Sequence, residues 1–405
     1  MSSSAPAKPI TVTNKLLAMK FLSEFILIYP IIPIMYEQRG HVSSEGIGII
    51  FGLGLALSVV LEIPTGIIAD KLSRKYVLLF SLFLKVLALF TWITMPYFTG
   101  YLLAATLFAL SEAFESGTLQ AYLYGALDSD NKRNFAKYWS RVSAMIMFSY
   151  TMAYIFTTIL GINYSLLLIL SIVPCLLALL VGLSLPLDKV AATSIEVKPK
   201  VLASAVSHIK DSPQLFKLIV GGVVIVALAE VMIEYSSLYY HQVGVGVRFI
   251  PLIMAGGNIL GAISFWSLHH WNKTLNKWQL PLLSLFCLFF ALTFFGGTIA
   301  AVAGALLFTR YIRLLQVQYE STIQHLANDQ ARATISSIGS FGSAFLGGVI
   351  MILVGLLAIN NSVVRPIRIF LIGGALIYFV IQLGNKYKSN HLSAIDAADP
   401  FDKPI

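Results

Sequence analysis

Charge is what this chain has least of. Only 12% of its 405 residues are Asp, Glu, Lys or Arg, about half the ~25% usual in soluble domains. That excludes a surface facing water on all sides. Cysteine is scarce too. Cys175 and Cys287 both lie inside apolar runs, which excludes a disulfide framework and reads as packed thiols. Zinc-type Cys/His spacings and a nucleophile elbow are missing, so no metal and no cofactor is expected. The glycine-rich stretches "GGVVIVALAE" and "MAGGNILGA" are followed by no Lys-Ser/Thr. They read as small-residue packing surfaces, not phosphate loops, which leaves an ion gradient rather than ATP as an energy source. An enzyme should show a His/acid or metal cluster at an interface, and none is seen. The opening "MSSSAPAKPITVTNK" lacks a cleavable signal pattern, so the first apolar run reads as a retained span.

Long apolar runs are abundant instead. Hydrophobic residues make up 57% of the chain, and the mean hydropathy is +0.81. A run of about 20 apolar residues crosses a ~30 Å hydrocarbon core as a helix. Twelve such runs are expected, at 15–37, 45–69, 76–97, 99–126, 137–161, 163–185, 214–240, 248–270, 278–296, 298–326, 333–359 and 366–384. This is an all-α, polytopic membrane protein. The long connection 186–213 divides it into a six-helix half at 1–185 and a second at 214–385, with a tail at 386–405. Within that linker a short amphipathic helix is expected near 200–210. "ESGTLQAYL" at 115–123 and "ESTIQHL" at 320–326 recur at equivalent places in the two halves, as in transporters built from repeats.

Loop cations orient the chain. With a cytoplasmic N-terminus, only Arg39, Arg248, Arg365 and Arg368 fall on the outer side, while the other loop cations are inside. The expected location is therefore a plasma (inner) membrane, with both termini cytoplasmic. The net charge of +9 is spread over short loops and does not form a nucleic-acid patch.

Between the second and third spans lies "EIPTGIIADKLSRKYVLL", residues 62–79. Its Gly66, Asp70, Lys71, Arg74 and Lys75 resemble the G-x-x-x-D-[RK]-x-G-[RK]-[RK] signature of the major facilitator superfamily, with Ser73 replacing the second glycine. The preceding "LEIPTG" resembles the bacterial drug-exporter-like branch. The resemblance implies two six-helix bundles around a central cavity lined by spans one, four, seven and ten. It also implies a latch at the inner face, where Asp70 meets the start of span eleven and Arg74 reaches Asp128. On the residues alone, Gly66 permits close helix approach, Pro64 permits a bend, and Lys71 and Lys75 are also explained as plain inside-positive charge.

Ionisable residues within spans normally face a cavity or a partner. Here they are Glu24, Glu112, Glu115, Glu230, Glu234, Arg310, Arg313 and Glu320, on spans one, four, seven and ten, together with Glu62 and Lys85. Glu112 and Glu115 are i,i+3, and Glu230 and Glu234 are i,i+4. Each pair is expected to share a proton, because two adjacent carboxylates cannot both ionise cheaply. Structural ion pairs are the other reading: Lys20 with Glu24 on one helix, Lys85 with a buried acid, Arg313 with Glu230. Arg313 fits a counter-ion or a substrate contact. His269 and His270 read as interfacial, and His325 as a candidate relay. Phe114, Tyr122, Tyr235 and Tyr239 add rings that attract cations.

These residues point to proton-driven efflux of a small cationic or amphipathic compound by a monomer exchanging protons in the bilayer. One proton crossing 100 mV supplies about 2.3 kcal/mol, ample for this. Proton-coupled uptake, or export of a siderophore, peptide or lipid-like product, uses the same features. A non-transporting receptor or a membrane enzyme is the reading from another class.

Overall fold

Two prolines decide the shape of the first span. Pro30 and Pro33 have no N–H to donate to Ile26 and Tyr29, and two such losses within one turn disfavour a continuous helix there. In the computed structural model α1 (Pro9–Glu24) stops directly after Glu24. A single 3-10 turn, Tyr29–Ile31, then leads into α2 (Ile32–Gln38). The expected unbroken helix over 15–37 is thus corrected to two helices with a joint. Backbone groups freed in a membrane must be satisfied by neighbours. Here the Leu27 N–H donates to Ser171 Oγ at 2.9 Å, and Thr157 donates to the Leu27 carbonyl at 2.6 Å. Ser149 donates to the Phe21 carbonyl at 2.6 Å.

The structure describes residues 9–127, 129–132, 134–188, 212–275, 297–309, 312, 316, 332–374 and 376–377. Further helices are α3 (Ser44–Lys71), α4 (Arg74–Thr94), α5 (Phe98–Ala126), the short α6 (Ser129–Lys132), α7 (Phe135–Leu160) and α8 (Tyr164–Leu183). After them come α9 (Pro213–Gln242), α10 (Ile250–Leu275), α11 (Thr298–Thr309), α12 (Arg332–Leu356) and α13 over 364–374. Among the described residues there is no strand, only an isolated bridge between Ile359 and Ser362. Among the described residues, seven helical stretches are long and apolar enough to cross a membrane. The α5 helix is not among them despite its 29 residues, because Ser111, Glu112, Glu115, Thr118 and Gln120 lower its hydropathy. The expected span 278–296, most of 310–331 and the helix expected at 200–210 lie outside the described residues.

Helices from the two ends of the chain meet along a glycine seam. Here α3 packs on α12, α2 on α9 and α7 on α10. A methyl group on Gly52 would stand 2.6 Å from the Gly348 carbonyl oxygen, and one on Gly355 would stand 2.5 Å from the Ser44 carbonyl oxygen. Only hydrogen fits between these backbones. Beyond the seam, Ser44 Oγ donates to the Asn361 carbonyl at 2.7 Å, and Gln242 Nε2 donates to the same oxygen at 2.9 Å. Tyr164 donates to Gln38 Oε1 at 2.7 Å, and Gln38 Nε2 lies 3.2 Å from His241 Nε2. One mouth of the molecule is sealed by these contacts.

At the opposite end of α3 no described atom lies within 4 Å of a methyl placed on Gly66. Among the described residues, none makes the close approach expected there. A Gly52→Val substitution should therefore open the sealed mouth. Cysteines placed at Ser44 and Asn361 should be joined efficiently by a short bifunctional thiol reagent, and several-fold less when Gly52→Val is added.

Candidate functional site

Four charged side chains meet where α1, α4 and α5 touch. Lys20 Nζ lies 2.6 Å from Glu24 Oε1 and also bonds Glu115 Oε1. Lys85 Nζ lies 2.8 Å from Glu24 Oε1 and 3.9 Å from Glu115 Oε2. All four are buried, with Lys20 and Lys85 each 3% exposed. Two cations balance two anions, which is what makes such burial tolerable. Lys20 and Glu24 meet because i and i+4 share a helix face. Ser81 and Ser111 tie α4 to α5 nearby, Ser111 Oγ donating to the Ser81 carbonyl at 2.7 Å.

Glu112 and Glu115, the expected pair, have different described surroundings. Three residues on a helix differ by about 60° in direction, and here that difference separates two environments. Glu115 turns toward Lys20, whereas Glu112 is exposed toward a cavity of about 340 Å³. That cavity is also lined by Glu230 and Glu234 of α9, by Tyr29, Tyr36, Trp92, Phe108, Tyr150 and Tyr154, and by Met254 and Met351. None of its described lining residues is Lys or Arg. Tyr150 joins the two regions: its hydroxyl donates to Glu24 Oε2 at 2.9 Å. Among the expected aromatics, Phe114, Tyr122, Tyr235 and Tyr239 are buried in packing and do not line this cavity. Arg310, Arg313 and Glu320, and the Asp128 and His325 expectations, lie outside the described residues.

A broken first helix, a central acidic cavity and a seam between early and late helices invite comparison with known proteins. The family model of the major facilitator superfamily matches residues 16–352. The chain belongs to the major facilitator superfamily. No curated protein matches it. Among solved structures, a mutant of the nucleoside transporter NupG is similar with a TM-score of 0.77 at 14% identity, over 92% of this chain and 99% of that one. A bacterial homolog of the human lysosomal transporter Spinster, inward-facing and unoccupied, gives 0.70 at 15% identity over 93% and 98%. A D-xylose-proton symporter gives 0.68 at 11% identity over 93% and 97%. At these identities the likeness shows the fold alone. The family makes this chain a multi-pass membrane transporter.

In this major facilitator protein the signature loop is held by a residue the sequence reading missed. Asp188 accepts from Ser73 Oγ at 2.6 Å and from the backbone N–H groups of Arg74 and Lys75 at 3.1 and 3.3 Å. It thereby caps the N-terminus of α4, and Ser73 gains a role that glycine could not fill. The first residues of the expected linker 186–213 are therefore held against the start of α4. Arg74 donates to the Ala121 carbonyl near the end of α5 at 3.3 Å, and Lys75 to the Leu183 carbonyl ending α8 at 2.8 Å. Lys71 and Glu62 are exposed, and Asp70 lies in the last turn of α3. An acid two residues after a proline that ends a span, facing a basic loop, was the available signal for Asp188.

Burial raises the Asp188 pKa, but the bonds from Ser73, Lys75 and Arg74 outweigh it and hold the carboxyl below its usual range. Its contribution is full above the ordinary carboxylate value and is lost as pH falls through the lower folded value. Asp188→Asn should reproduce that loss at neutral pH, read as faster hydrogen exchange at the Arg74 and Lys75 amides. The buried quartet makes a separate prediction. Lys20→Met leaves two carboxylates facing one cation and should cost about 3–5 kcal/mol. Thermal unfolding in detergent should show most of this recovered in the charge-balanced double variant Lys20→Met/Glu115→Met.

Proposed function

We propose that this protein is a proton-driven exporter of small organic cations or cationic amphiphiles, of the drug-exporter-like kind, working by alternating access. The observation that carries this reading is the cavity. Glu112, Glu230 and Glu234 face a space of about 340 Å³, within the range that takes a drug-sized ligand. The same space is walled by aromatic rings, and Lys20 and Lys85 are committed to the buried quartet. Carboxylates and ring faces together attract an organic cation. A proton and the cation compete for the same carboxylates, and that competition is antiport.

In this reading twelve spans form two six-helix halves, 1–185 and 214–385, joined by 186–213. Both termini are cytoplasmic in a plasma (inner) membrane, and one chain is the working unit. The sealed mouth at Ser44 and Asn361 then faces outward, so the conformation is inward-facing. Gly66, Asp70, Lys71, Arg74, Lys75 and Asp128 form the latch when the inner mouth closes. Arg310, Arg313 and Glu320 complete the site from span ten, while Glu24 and Glu115 set its electrostatics from behind.

Proton-coupled uptake is the second reading. It is favoured by the similarity in fold to a D-xylose-proton symporter, since a symporter needs the same acids. Proteoliposomes with an imposed pH gradient distinguish the two. Export predicts that aromatic organic cations move against the proton flow, that Glu112→Gln and Glu234→Gln each slow this at least tenfold, and that adding the cation to detergent-solubilised protein releases protons. Cation movement with the proton flow establishes symport instead. Movement of neutral solutes alone, indifferent to the gradient, removes the cation reading.

A further inference from the structure

The quartet shares Glu24 unevenly. Both lysines approach Oε1, at 2.6 and 2.8 Å, whereas Oε2 receives the Tyr150 hydroxyl at 2.9 Å. Tyr150 is half-buried on α7, lines the cavity, and sits between Tyr29, with ring centroids 5.9 Å apart, and Tyr154, at 6.4 Å. Titratable groups around this bond are Lys20 and Glu24 on α1, Tyr29, Lys85 on α4, Glu112 and Glu115 on α5, Tyr154 on α7 and Cys175 on α8. Tyr150 itself both bonds a quartet carboxylate and lines the cavity.

We infer that Tyr150 is a positioning residue through which an N–H group of a cavity ligand acts on the buried Lys20–Glu24–Lys85–Glu115 quartet. A phenol hydroxyl donates one hydrogen bond while accepting others. With its proton directed at Glu24, its lone pairs are left for the cavity. A protonated amine there donates to the Tyr150 oxygen, and the chain N–H to O–H to carboxylate polarises along its length. The pull falls on Oε2 and draws Glu24 away from the two lysines on Oε1. The quartet that holds α1, α4 and α5 in register thus responds to a ligand that never enters it. A quaternary ammonium has charge but no N–H, so it occupies the cavity without engaging this chain. The inference rests on the cavity being a cation site, and it adds a distinction between kinds of cation.

The test compares N,N-dimethylbenzylammonium with benzyltrimethylammonium, which share a ring and a charge but not an N–H, on purified full-length protein by calorimetry. Tyr150→Phe keeps the ring and removes the hydroxyl. It should weaken binding of the dimethyl probe about tenfold, the scale of one hydrogen bond to a charged group. The trimethyl probe should stay within twofold. Equal weakening of both, or of neither, overturns the inference. If the wild type binds neither probe, the cation reading of the cavity fails, and the Tyr150 link is then decided without ligand. The infrared difference spectrum between Tyr150→Phe and wild type should contain a shifted carboxylate stretch. A spectrum with tyrosine bands alone overturns the link.

Discussion

A charge in a membrane interior must find its opposite there, and the rest of this molecule is arranged around one place where that happens. Lys20, Glu24, Lys85 and Glu115 come from three helices and neutralise one another with almost no access to water. Because removing any one leaves an uncompensated charge, the register of α1, α4 and α5 has little freedom. The same region also has to absorb a broken helix. Ser149, Thr157 and Ser171 on α7 and α8 take up carbonyls and an N–H around the break. Hydroxyls on neighbouring helices therefore bind α1 into a unit with α7 and α8, and the ion pairs bind it to α4 and α5.

Beside that unit, α2, α3, α4, α5 and α7 supply one wall of the cavity, and α9, α10 and α12 supply the other. The division of labour on α5 follows from helix geometry. One face carries Glu115 into the ion cluster, and the adjacent face carries Glu112 to open space. A carboxylate already committed to two lysines holds shape, whereas one without such partners is available to a solute. One helix thus carries an ion-paired carboxylate and a cavity-lining one a single turn apart.

Much of this was legible in the residues. Apolar runs marked the helices, and the boundaries of α3, α5, α7 and α9 fall within a few residues of those expected. The signature at 62–79 pointed to the family that the comparison shows. Lys20 with Glu24 was readable as an i,i+4 pair, and Lys85 was readable as the partner of a buried acid. What could not be read was which helix faces which. The contact of Lys20 with Glu115 spans 95 positions, and periodicity says nothing about such distances. That Glu115 is taken up by lysines of other helices while Glu112 lines the cavity could not be read for the same reason. Pro30 and Pro33 did announce the joint in the first span, but the apolar run around them hid it. Asp188 was assigned to a linker because its partners are backbone N–H groups that carry no letter in the sequence.

The glycine seam between α3 and α12 has a consequence of its own. Where side chains interdigitate, a gate can be partly shut, with rotamers taking up intermediate gaps. At Gly48, Gly52, Gly348 and Gly355 there are no side chains to adjust, and main chain lies on main chain. Such a contact has a hard stop and no graded positions, like a valve seat. Main chain on main chain also leaves less room between α3 and α12 than an interface of side chains would. A carrier that opens one end at a time needs such a stop in every cycle.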